Sequence, residues 1–161
     1  MVVLVIVAVF VELCFSLLIV DLPHPMLVLL LAISAGMVRR PRDGAVVAFG
    51  GGFLLDVFGG PPLGRQTLAL VVGTLTVFLA RTELARRTVL APVLAAVVGT
   101  VLYWLVLAIV ESTAGLVVPW SHIVLRWVLP TIALNALLVL PLIGLVERLS
   151  VRSGARRTIH R

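Results

Sequence analysis

Breaks made of proline, glycine and charge divide the chain into six apolar runs, at about 2–20, 24–38, 44–58, 65–80, 88–110 and 122–146. Runs so apolar around their whole circumference do not suit the surface helices of a water-soluble fold. Helices are the open-ended spans that satisfy their own backbone in hydrocarbon, so each run is read as a transmembrane helix. The second and third runs have 15 residues each and reach only about 22 Å at about 1.5 Å per residue. They are therefore either short, embedded spans or a re-entrant pair. Composition strengthens this reading, because 61% of the residues are apolar, 12% are charged, and mean hydropathy is +1.24. A soluble fold cannot hide that much apolar surface. The expected fold is an all-α integral membrane protein, a compact bundle of about six transmembrane helices over 1–147, followed by a basic tail at 148–161.

Charge decides orientation. The net charge is +6, and the 13 basic residues are all arginine. In short loops, positive charge is retained on the cytoplasmic side. With six crossings and an inside N-terminus, the inner segments hold Arg39, Arg40 and Arg42, then Arg81, Arg86 and Arg87, then Arg148, Arg152, Arg156, Arg157 and Arg161. The outer connections at 21–25, 59–64 and 111–121 hold none, while Arg65 and Arg126 lie just inside the outer ends of spans. A re-entrant pair would put the Arg39 cluster on the wrong side or deep in lipid. Both termini are thus expected in the cytoplasm. Arginines placed in this way suit membrane lipid and offer no basic face for nucleic acid. The N-terminal run has no basic leader and is read as a retained span.

The third run has the most informative pattern. Gly44, Ala48, Gly52 and Asp56 follow one another at four-residue spacing and share one helix face, as small residues do where membrane helices approach closely. That face either packs against another span of the same chain or docks a partner's helix. Asp56, about 18 Å along this helix from residue 44, needs a partner in hydrocarbon. Arg126, entering its span from the same side at similar depth, is the expected ion-pair partner, with Arg65 next. Glu12 and Asn135 lie near the middles of the first and sixth runs and must also face protein or water. They are either interhelical hydrogen-bonding groups or members of a solute or proton path. Glu111 ends the fifth span, where it is a possible partner for Arg126. Tyr103 continues the series Ala91, Ala95, Gly99, another candidate helix contact. Trp120 and Trp127 suit interface anchoring.

Candidate chemistry adds little. Cys14 stands alone, so neither an internal disulfide nor a thiolate metal site is available. His24, His122 and His160 are scattered over two outer ends and the tail. No nucleophile with a base, phosphate loop or metal cluster is recognisable, so the expectation is a protein that is not an enzyme and needs no cofactor.

The run Arg39–Gly64, with Gly44, Ala48-Phe49, Gly52-Phe53-Leu54-Leu55-Asp56 and then Leu63-Gly64, resembles the rod-shape-determining MreD family. Ala48 stands where that pattern has a glycine, Phe53 where it has a leucine, and His24 where an acid often follows proline. The resemblance implies a non-catalytic subunit of the bacterial cell-elongation machinery in the cytoplasmic membrane. It would bind MreC and, indirectly, MreB, RodA and a class B penicillin-binding transpeptidase. It also implies partner or helix contacts at Gly44, Ala48, Gly52, Asp56, Leu63 and Gly64. The competing class is the substrate-binding subunit of a vitamin or metal uptake transporter. Such subunits usually dock through small residues on the first helix, whereas here Glu12 interrupts the partly small series Ala8, Glu12, Ser16.

Overall fold

The computed structural model of the chain describes residues 2–18, 23–60, 63–79, 90–113 and 123–157, with side chains as far as Ser150. The expected inner segment 81–87, most of the outer segment 111–121 and the side chains of the tail lie outside the described residues. The described chain contains six α-helices: α1 Val2–Leu18, α2 Leu27–Val38, α3 Pro41–Gly59, α4 Arg65–Leu79, α5 Leu90–Thr113 and α6 Leu129–Arg157. A π-helical turn, Val124–Val128, leads directly into α6. It ends just before Pro130, whose ring crowds the preceding turn and whose nitrogen cannot donate, so a widened turn at this place has a local cause.

Helix boundaries follow from local chemistry. Pro41 stands at the first position of α3 and Asp43 in its first turn, both favourable at a helix start. The α3 helix ends at Gly60, where φ is 90°, and the residue before α4, Gly64, has the same φ. L side chains rarely adopt that conformation, so both turn positions suit glycine. The last helix runs past the span expected to end near 146 and continues through the start of the basic tail to Arg157. Pro141 lies within it without ending it.

The helices alternate in direction. The C-terminal ends of α1, α3 and α5 and the N-terminal ends of α2, α4 and the π turn all line one cavity, through Ser16, Gly59, Glu111, Met26, Arg65 and Trp127. At the other end, Arg39, Arg40 and Arg42 meet Ser150 of α6. Helix α2 is the hub of this bundle. Its residues Val28 to Gly36 are all buried, and it touches every other α-helix. A helix enclosed on all sides has no polar face, which explains the unbroken apolar run Leu27–Ile33.

Outside the hub, the surface is apolar. Helix α5 and the helix over Val124–Ser150 are long and apolar enough to cross a membrane, and only 28% and 17% of their most apolar windows are buried. Large apolar side chains point outward from other helices too, among them Phe10, Phe15, Phe49, Phe53 and Leu68.

Close packing around α2 and α4 depends on glycine. A Cβ on Gly44 would meet the Ala32 carbonyl oxygen at 2.6 Å, and one on Gly36 would run into the Phe78 ring. Phe78 of α4 therefore occupies the notch that these glycines leave. At Gly52 the obstacle is main chain, with Thr67 Cα 2.7 Å from the added carbon. Gly73 and Gly99 make a similar close approach between α4 and α5, where the added carbon on Gly73 would lie 3.0 Å from the Gly99 oxygen. Gly50 faces open space. Alanine at position 52 is expected to destabilise by about 1–3 kcal/mol through overpacking, whereas alanine at position 50 should be neutral or stabilise by up to about 1 kcal/mol. Thermal melts of Gly52→Ala and Gly50→Ala in detergent check this contrast; equal melting temperatures would refute it.

Candidate functional site

Two helices, α2 and α4, each begin with a deficit. The first backbone N–H groups of an α-helix have no acceptor within the helix, and a side-chain oxygen at the N-cap position usually supplies one. The residue before α2 is Met26 and the residue before α4 is Gly64, neither of which has a side-chain oxygen. Both deficits are met from other helices.

Asp56 serves α4. Its Oδ1 accepts the Gln66 N–H at 2.8 Å, and its Oδ2 accepts the Thr67 N–H at 2.9 Å together with the Thr67 hydroxyl. A carboxylate at a helix N-terminus also lies favourably in the field of the helix dipole. Glu12 serves α2 in the same manner, its Oε2 accepting the Val28 N–H at 3.0 Å. Asn135 of α6 completes that cap by accepting the Met26 N–H on Oδ1 at 3.0 Å. Its Nδ2 then donates to the Thr100 hydroxyl at 2.8 Å, and that hydroxyl donates to the Ala96 carbonyl at 2.7 Å. Asp56 and Glu12 are buried, and Asn135 is completely enclosed.

The expected ion pair between Asp56 and Arg126 is therefore absent. Asp56 has its oxygens on the start of α4, and Arg126 is exposed on the π turn. Nor does Glu111 pair with Arg126; its Oε1 lies 3.4 Å from the Arg65 guanidinium. Arg65 is thus drawn to α5 rather than to Asp56. Beside it, the Tyr103 hydroxyl donates to Gln66 Oε1, so α5 holds the same first turn of α4 that Asp56 caps.

The small face of α3 is also used within the chain. Gly44, Ala48, Gly52 and Asp56 are all buried, against α2 and α4. That face lies against other helices of the same chain, the first of the two readings open to it. Leu63 and Gly64, by contrast, are exposed in the turn before α4, where the Gly64 oxygen accepts the Leu68 N–H at 2.9 Å. The Ala91, Ala95, Gly99, Tyr103 face turns inward as well, Gly99 lying against Ile33 of the hub. Sequence reasoning did not find Gln66, Thr67 or Thr100. The available signal was a short apolar helix preceded by a residue unable to cap it.

A cavity of about 260 Å³ lies at the end of the bundle opposite the Arg39 cluster. Glu12, Arg65, Gln66, Tyr103, Trp104 and Glu111 contribute to its lining. Among the described residues, no cluster of three or more His, Cys, Asp or Glu side chains is arranged to hold a metal ion. Comparison with protein-family models, curated proteins and solved structures finds no match to this chain.

Replacing Asp56 by alanine strands two amides and a hydroxyl at the half-buried start of α4, and is expected to cost about 1–3 kcal/mol in all. Glu12→Gln should stay close to the parent, because an amide oxygen still accepts the Val28 N–H, whereas Glu12→Ala should not. Arg126→Gln should leave stability unchanged. Melting temperatures followed by size exclusion of heated detergent samples distinguish capping from ion pairing; equal losses for Asp56→Ala and Arg126→Gln would favour an ion pair.

Proposed function

We propose that this chain is a multi-pass protein of the bacterial cytoplasmic membrane and a non-catalytic subunit of the cell-elongation machinery, with the role that its resemblance to the MreD family implies. The supporting observation is that the run carrying the resemblance is also the run that builds the fold. Gly44 and Gly52 admit α2 and α4 to contact with α3, Asp56 caps α4, and Gly64 forms the turn between them. The partner would be MreC, with MreB, RodA and a class B penicillin-binding transpeptidase reached through it.

The apolar exterior supports residence in lipid. A water-soluble protein rarely exposes such broad apolar patches. Helix α5 is about 36 Å long, enough for a hydrocarbon layer about 30 Å thick, whereas α2 extends only about 18 Å. The short hub helix would start below the outer surface, which is why its caps must come from protein. Arg39, Arg40 and Arg42 gather at the opposite end, suited to anionic headgroups or a cytoplasmic partner.

The uptake-transporter alternative is less well supported. The outward positions of α1 are bulky, with Val3, Val7, Phe10 and Leu17 exposed, while Glu12 is turned inward as a cap. A small-residue docking stripe is not presented there.

Alkaline carbonate treatment of membranes followed by affinity purification of the tagged chain in mild detergent tests both levels of the proposal. The protein should remain in the membrane pellet, and a single-span coiled-coil protein with wall-synthesis enzymes should co-purify. Release by carbonate would overturn the membrane reading. Co-purification of ATPases with a transporter coupling subunit would replace the elongation role with solute uptake.

A further inference from the structure

The cavity at the capped end of the bundle has features of a ligand site that internal packing does not explain. Trp104 lines it, and the indole nitrogen of that residue is buried with no acceptor among the described residues. A buried donor left in this state costs roughly 1–3 kcal/mol, which an oxygen supplied by a ligand would offset. Arg65 has five N–H donors on its guanidinium, yet its contact with Glu111 is a single one at 3.4 Å, leaving donors on one side and a carboxylate oxygen on the other for a further partner. Both side chains remain partly accessible, at 29% and 21%. The rings of Trp104 and Trp127 line the same space, and indole faces attract ammonium groups.

These groups define a chemistry. An anion would be met by Arg65 and the Trp104 N–H, and an ammonium group by Glu111 and the Trp127 ring. Since Arg65 and Glu111 touch, the two charges of the ligand must be only a few bonds apart. A cavity of about 260 Å³ lies at or below the small end of ligand pockets, roughly 300–1,000 Å³, so the bound group is small. We propose that this cavity binds a small zwitterion carrying an ammonium and a phosphate or carboxylate, either free in solution or as the headgroup of a zwitterionic phospholipid.

The decisive variant is Trp104→Phe. It keeps an aromatic ring and removes an N–H that has no partner among the described residues, so the fold should tolerate it. Calorimetric titration of the full chain in detergent with phosphoethanolamine tests the free ligand. Native mass spectrometry from nanodiscs containing equal amounts of phosphatidylethanolamine and phosphatidylglycerol tests the headgroup. Saturable binding of phosphoethanolamine that weakens about tenfold in Trp104→Phe and in Glu111→Gln would establish the site for a free zwitterion. Selective retention of phosphatidylethanolamine, lost in the same variants without binding of the soluble probe, would assign it to lipid. Absence of both, or binding that Trp104→Phe leaves unchanged, overturns the proposal. The lipid arm rests on the membrane reading, whose own failure would appear separately as release by carbonate.

Discussion

An α-helix that begins inside a packed bundle must find acceptors for its first amides, and much of this structure is arranged around that requirement. Helix α2 is buried from Val28 to Gly36, and Met26 has no side-chain oxygen to offer its first turn. Glu12 and Asn135, from helices at opposite ends of the chain, take the amides of Val28 and Met26. Helix α4 repeats the arrangement with Asp56. Polar residues that would be expensive in an apolar interior are thus the acceptors that short helices need.

The caps also fix geometry. A carboxylate on α3 that binds two amides of α4 sets both the height and the rotation of α4, and Gly52 lets the two backbones come together beside it. Tyr103 and Glu111 hold the same turn of α4 from α5. Asn135 and Thr100 join α6, α5 and the hub. Cap and glycine act together: the first specifies the register that the second makes sterically possible.

Much of the architecture was legible from the pattern of apolar runs. Each run contains a helix, and the breaks at Arg39–Asp43 and Gly59–Gly64 fall where α3 begins and ends. Boundaries were less legible. Pro41 is a good first residue for α3, three positions before the expected start, and the last helix runs through Pro141 and Gly144 to Arg157. Within the candidate site, Glu12, Asp56 and Asn135 were recognisable as groups in need of partners, but the partners were misassigned. Sequence displays side-chain charge and conceals main-chain amides, so Asp56 was matched with Arg126 when its acceptor capacity was directed to Gln66 and Thr67. The inward direction of the Gly44–Asp56 face was equally hidden, because spacing shows which residues share a face and not what lies opposite.

The bond between the Met26 amide and Asn135 links positions 109 residues apart. During synthesis, the hub helix therefore emerges long before one of its acceptors exists. A nascent chain ending before α6 carries an incomplete start to α2, however well its first helices have assembled. The arrival of α6 is registered at a single main-chain amide, and the start of α2 reaches its final form only then.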